Sequence, residues 1–175
     1  MKLVIKNLLE PGNLQLLKNI LNELNIRHED EVVAGELVTA EDLSSARLRQ
    51  LGSRLEQHSM HIITGRKEQL SERVRHIVRE MLDGDAPQEN YSLYIGQRLG
   101  LNYTYIANAF SFSQGATIER LIISTRIEKA KQMLLTGRYA IGQVAEQLHY
   151  SSIGHFSNQF KRVTGKNPSA FLKQA

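Results

Sequence analysis

Residues 151–162 read SSIGHFSNQFKR, and residues 102–113 read NYTYIANAFSFS. In each, a flat polar ring (Tyr105, His155) precedes an apolar residue (Ile106, Phe156). An asparagine follows two positions on (Asn108, Asn158), and a phenylalanine two positions after that (Phe110, Phe160). The i, i+4 apolar pairs Ile106/Phe110 and Phe156/Phe160 are one helical turn apart and form a seat on one face of a short helix. Upstream of each seat lies a branched-then-small pair, Ile95-Gly96 and Val144-Ala145, and then an anchoring leucine, Leu99 or Leu148. A small side chain there lets two helices cross closely. The pattern predicts short helix, tight turn, short helix, twice over, which is the helix-turn-helix unit.

With 156 and 160 turned inward, 100° per residue points Gly154, His155, Asn158, Lys161 and Arg162 outward. The same operation on the first copy exposes Thr104, Tyr105, Asn108, Ser111 and Phe112. An outward asparagine matches the N6/N7 edge of adenine in a major groove. Lysine and arginine one turn later suit phosphate. Between the copies, residues 117–135 predict a helix of roughly 28 Å. Successive major grooves on one face of DNA lie about 34 Å apart. Ile118, Leu121 and Ile122 make one apolar stripe on this helix, and Ile123, Ile127, Ala130 and Leu134 a second, rotated one, so that one rod can hold both units.

Working outward, the second half is all helix. Leu70, Val74, Ile77, Val78, Met81 and Leu82 recur at helical spacing before the breaker GDAP (84–87). Ser92 is a candidate cap for a helix ending at Leu99-Gly100, and glycine suits the left-handed position past a helix end. Asn102 is a cap for the next helix, Gly137 stops the long one, and Asn167-Pro168 has the cap-then-proline signature of the last. Seven helices are expected after Gly65.

The first third changes period instead. KLVIKN (2–7) alternates as a strand, Glu10-Pro11-Gly12-Asn13 is a turn, and Leu14, Leu17, Ile20, Leu21 and Leu24 form a helical stripe. Ile26–His28 and Glu36–Thr39 (after Ala34-Gly35) are expected strands. Asp42 is an expected cap for a helix striped by Leu43, Leu48, Leu51 and Leu55, and 58–64 the closing strand. Strand, helix, strand, strand, helix, strand is the order of a ferredoxin-like βαββαβ sandwich with two helices over one face. The expected fold class is α+β: residues 1–64 as this sandwich, and residues 65–175 as an all-α domain. Within the latter, the helix-turn-helix units span about 92–112 and 141–163, joined by the helix at about 117–135.

Charge follows the same division. Residues 1–66 carry eight Lys and Arg against nine Asp and Glu. Residues 67–175 carry fourteen against nine, and 137–175 five against Glu146 alone. A basic end points to a polyanion partner. None of the 175 residues is cysteine, which excludes disulfides, thiolate metal sites and cysteine nucleophiles. No run approaches the ~18 apolar residues of a membrane span, and the first residues lack a signal-peptide pattern, so the expected compartment is the cytoplasm. His58 and His61 are expected on opposite faces of a strand, His28 and His76 in solvent, Glu29-Asp30-Glu31 in an exposed turn, and Glu68, Glu72 and Arg75 in surface pairs. No phosphate-binding glycine loop, catalytic triad or clefted carboxylate pair is legible, so neither an enzyme nor a cofactor is expected.

The text RIEKAKQMLL (126–135) and IGQVAEQLHYSSIGHFSNQFKRVTGKNPSAF (141–171) resembles the AraC/XylS family of bacterial transcription regulators. The residues in register are Arg126, Ile127, Ala130, Leu134, Val144, Ala145, Phe156, Phe160, Lys161, Gly165 and Pro168. The resemblance spans about residues 67–175. It implies two helix-turn-helix units reading adjacent major grooves of double-stranded DNA, with RNA polymerase as a partner. Carried over by position, it implies DNA-facing roles for Thr104, Tyr105, Asn108, Ser152, Gly154, His155, Asn158 and Gln159. His149 stands where the family usually has glycine, and the first copy ends Phe110-Ser111-Phe112-Ser113 where many members have lysines. More loosely, the first third is similar to heavy-metal-associated domains, with Glu10 and Asn13 at the two cysteine positions. Without thiolates it is expected to have lost soft-metal capture and to serve in dimerisation, partner docking or sensing. The alternative reading is an adaptor whose N-terminal domain binds a protein or small ligand.

Overall fold

A computed structural model of the chain describes residues 1–8, 10–29, 32, 36–84 and 90–173. The elements are β1 (Lys2–Lys6), α1 (Asn13–Glu23), β2 (Glu36–Val38), α2 (Ser45–Glu56), β3 (His61–Ile63), α3 (Arg66–Asp83), α4 (Tyr91–Leu99), α5 (Tyr103–Gln114), α6 (Ile118–Leu135), α7 (Ile141–Gln147), α8 (Ile153–Thr164) and α9 (Pro168–Leu172). The expected breaker at 84–87 and the acidic run at 29–31 lie largely outside the described residues, as does the Ala34-Gly35 turn.

β1 is the centre of an antiparallel sheet ordered β2-β1-β3, with Leu3 opposite Leu37 and Ile5 opposite Ile62. Leu3 and Ile5 face α1 and α2, whose Leu17, Ile20, Leu21, Leu51 and Leu55 complete a first apolar core. Val4, on the opposite face, is buried too. The reason is α3, which packs on that face and sends Arg73 to Glu36, 3.2 Å away. A sandwich open on one side was expected. α3 closes that side.

Four local expectations are corrected. Residues 26–28 form no strand: His28 makes a single bridge to Thr39, flanked by bonds from Glu29 N–H to the Val38 carbonyl and Ala40 N–H to the Arg27 carbonyl, both 2.9 Å. Asn25 just before it takes a left-handed turn (φ 52), which leaves only a short extended stretch to pair. His58 lies outside β3, because Ser59 (φ 57) turns the chain between it and His61. Ser44, not Asp42, caps α2, accepting Arg47 N–H at 3.3 Å. Ser92 likewise sits inside α4 rather than capping it, and its hydroxyl donates to Asn90 at 3.2 Å.

The helical part has two further cores. Leu70, Val74, Ile77, Val78 and Met81 of α3 pack with Ile95, Leu99, Ile106, Phe110, Ile118 and Ile122. Ile127, Ala130 and Leu134 pack with Val144, Ala145, Leu148, Phe156 and Phe160. The two stripes expected on α6 thus enter different cores, and α6 is the only described helix shared between them. Thr117 caps it, accepting Arg120 N–H at 3.2 Å.

At the seam between sheet and helices, Glu72 and His76 of α3 are buried rather than solvated, because β1 covers their side of the helix. Burial holds the Glu72 carboxyl above its ordinary range, opposed by the Asn7 N–H that it accepts. Burial, with Arg79 nearby, lowers the His76 pKa to about 4. A histidine whose folded pKa lies below its unfolded value of 6.5 takes up protons on unfolding. Its contribution to stability is therefore complete above that unfolded value and is lost as pH falls toward the folded one. Glu72 works in the opposite sense. We expect His76→Leu to gain on the parent by roughly 3 kcal/mol between those two pH values. Urea unfolding of both proteins across that window checks this, and parallel curves would contradict it.

Candidate nucleic-acid interface

The two helix-turn-helix units close their first helix with the same pair of backbone hydrogen bonds. After α4, Gly100 (φ 64) returns its N–H to the Gln97 carbonyl at 3.2 Å, and Leu101 N–H reaches the Gly96 carbonyl at 3.1 Å. After α7, His149 (φ 56) returns its N–H to Glu146 and Tyr150 N–H reaches Ala145, both at 2.9 Å. Each helix end is satisfied by one left-handed residue. A Cβ at Gly96 would lie 3.2 Å from the Leu101 carbonyl oxygen, a tight approach that favours a small residue there.

The second helix of each unit is then started by a side-chain cap. Asn102 Oδ1 accepts from Thr104 N–H at 2.9 Å and Tyr105 N–H at 3.4 Å. Ser152 Oγ accepts from His155 N–H at 3.1 Å. Ile106 and Phe110 are buried in α5, and Phe156 and Phe160 in α8, the latter two rings edge-to-face at 5.6 Å. Both α5 and α8 also pack on α6.

The opposite faces are open. Thr104, Tyr105 and Asn108 on α5 are exposed, as are Gly154, His155, Asn158, Lys161 and Arg162 on α8 and its cap Ser152. Gln159 departs from the expectation. It is half-buried, and its carboxamide oxygen accepts the Tyr150 hydroxyl at 2.6 Å. The second turn is one residue longer than the first, and the buried Tyr150 ring fills it. That ring lies 5.1 Å from Phe156 and edge-on to His155 at 5.5 Å. Gln159 therefore braces the turn, and His155 is oriented by Tyr150 and by Ser151, whose hydroxyl lies 3.3 Å from Nδ1.

The faces differ in charge. α8 presents Lys161 and Arg162 in its last turn, whereas α5 presents no basic residue. Phe112 near its end is 78% exposed, and Lys67 of α3 sits 4.1 Å over the ring. Lys67 was missed by sequence reasoning, since nothing local links residues 45 positions apart. Among the described residues, no group of three or more His, Cys, Asp or Glu is arranged to hold a metal, and no helix is long and apolar enough to cross a membrane.

Residues 95–174 match a family model described as a helix-turn-helix domain. The raffinose operon transcriptional regulatory protein RafR of Pediococcus pentosaceus is 31% identical over 49% of this chain and 33% of its own length. The Msm operon regulatory protein of Streptococcus mutans is 28% identical over 46% of this chain and 29% of its own. The chain thus spans about a third of the length of these two relatives. Among solved structures, the C-terminal domain of AraT, a response regulator from Geobacillus stearothermophilus, superposes with a TM-score of 0.54 at 21% identity, over 63% of this chain and 89% of that domain. Residues 95–174 are thus a helix-turn-helix domain similar to part of these two regulatory proteins.

The turn itself gives a prediction. A left-handed residue with a Cβ costs about 1–2 kcal/mol, of which glycine's greater unfolded-state freedom returns part. His149→Gly should therefore stabilise the chain by about 0.5–1 kcal/mol in denaturant unfolding. Unchanged or reduced stability would show that the His149 side chain makes a compensating contact.

Proposed function

We propose that this chain is a sequence-specific regulator of transcription, of the AraC/XylS type, whose helices α5 and α8 read adjacent major grooves of one DNA duplex. The observation that carries this is the repetition: two capped reading helices, each after a helix end closed by the same hydrogen bonds, both seated on one unbroken helix. α6 has 18 residues, which makes it roughly 27 Å long, close to the spacing of successive grooves on one face.

On this reading the two heads differ in task. α8 supplies Asn158 for a base edge, with Lys161 and Arg162 for phosphates. The first head reads through the uncharged Thr104, Tyr105 and Asn108, and takes its phosphate contact from Lys67 beside Phe112. RNA polymerase is the proposed protein partner. The proposed division is residues 1–64 and 65–175. The N-terminal unit is proposed as a ferredoxin-like sandwich: the order β3-β1-β2, followed by the bridged segment at His28, has the succession of such a sheet with its last strand reduced to an edge. Its proposed role is homodimerisation or docking.

In-vitro selection from a randomised duplex pool, followed by competition binding, tests the assignment. Asn158→Ala should cost about 1–3 kcal/mol on the preferred site and relax preference at one base pair. Lys161→Ala should weaken binding to all sequences alike and lower the salt slope by about one. A pool that yields no enriched motif, or two variants with the same effect, would contradict it.

A further inference from the structure

A cavity of about 230 Å³ opens where β1, the turn after it and α3 meet, lined by Lys6, Glu10, Glu72, Arg75, His76 and Arg79. His76 is 2% exposed, and neither ring nitrogen reaches a hydrogen-bond partner of good geometry among the described residues. The Ile5 backbone beside the ring gives it only a weak hydrogen bond that misses good geometry. Leaving a buried polar group under-bonded costs about 1–3 kcal/mol, so this imidazole on a cavity wall is a place where a further partner is stabilised. Being neutral near pH 7, it offers one donor and one acceptor.

The charges around it point to the ligand. Three cations face the cavity against two carboxylates. Arg79 is held by Glu10 at 2.8 Å, but that pair is exposed and easily exchanged. Arg75 meets Glu72 only at 3.8 Å. Glu72, whose burial favours its neutral acid, lies 3.9 Å from His76. Lys6 has no ion pair among the described residues. Two guanidiniums on successive turns of one helix suit the paired oxygens of a carboxylate or phosphate.

We propose that this cavity binds a small molecule carrying a carboxylate or phosphate group, gripped by Lys6, Arg75 and Arg79 and hydrogen-bonded by His76. The site also touches the reading head. Arg75 donates to the side-chain oxygen of Gln114, the last residue of α5, and its guanidinium lies 5.8 Å from the Phe110 ring. An oxyanion that draws on Arg75 competes with this brace, so occupancy is transmitted to α5. On the far side of Arg75, Arg79 and Glu10 a wider cleft of about 630 Å³ runs to Thr125 and Lys129 of α6, with room for the rest of a larger ligand.

The site is tested on the full chain without DNA, so that the outcome is independent of the DNA-binding assignment. Inorganic phosphate and succinate serve as probes, against sodium chloride at matched ionic strength, read by thermal shift, calorimetry and the imidazole NMR signals of His76. At least one probe should raise the melting temperature above the chloride control and move the His76 signals. Lys6→Gln, at an exposed position, and Arg79→Gln should each weaken that binding about tenfold. A double variant, Lys161→Gln with Arg162→Gln, should leave it intact. Shifts no larger than chloride gives, or binding lost in the α8 double variant and kept in Lys6→Gln, would overturn the proposal.

Discussion

Everything in the helical part depends on one helix serving two cores at once. At 100° per residue, the stripe of Ile118, Leu121 and Ile122 and the stripe of Ile123, Ile127, Ala130 and Leu134 are centred roughly 150° apart around α6. Each stripe is short, and neither of the two bundles has a third long helix to complete it. Ile118 and Ile122 finish the core begun by α3, α4 and α5, while Ile127, Ala130 and Leu134 are the floor on which α7 and α8 rest. Because both cores grip one unbroken backbone ladder, the relative placement of the heads is set by covalent geometry rather than by a flexible tether.

α3 repeats this economy at the other end. Its apolar face fills the first helical core, and another face carries Glu72, Arg73 and His76 toward the sheet. That second contact is polar where the others are apolar. A charged seam binds two units less firmly than a hydrophobic one and leaves room for small ligands. The arrangement places the buried His76 next to Arg75, which reaches α5, and one helical turn from Arg79, which reaches the β1 turn.

Much of this was legible from residue order, because helical spacing and capping are local. Asn102 and Asn167 each cap the helix that follows, and Gly100 and Gly137 take the left-handed turns their positions suggested. Most of the exposed faces of α5 and α8 follow from the buried pairs alone, although Ser111, expected outward, is half-buried. What escaped was set by contacts between distant residues. Glu72 and His76 read as surface residues because nothing near them in sequence announces β1. Gln159 reads as outward until Tyr150, nine positions earlier, is seen folding back onto it. At the edge of the sheet, Ile26 is buried as a strand residue would be, but left-handed Asn25 leaves too little extended chain for a strand.

If one stiff helix sets the distance between two reading heads, the spacing of their half-sites on DNA is fixed as well. The most direct test is binding to a selected site in which base pairs are inserted between the two recognised halves. A rigid α6 predicts halves about 10–10.5 base pairs apart, with affinity collapsing when about five are added and the second half turns to the opposite face. Affinity that is indifferent to spacing would mean that the heads move independently, and would contradict the account.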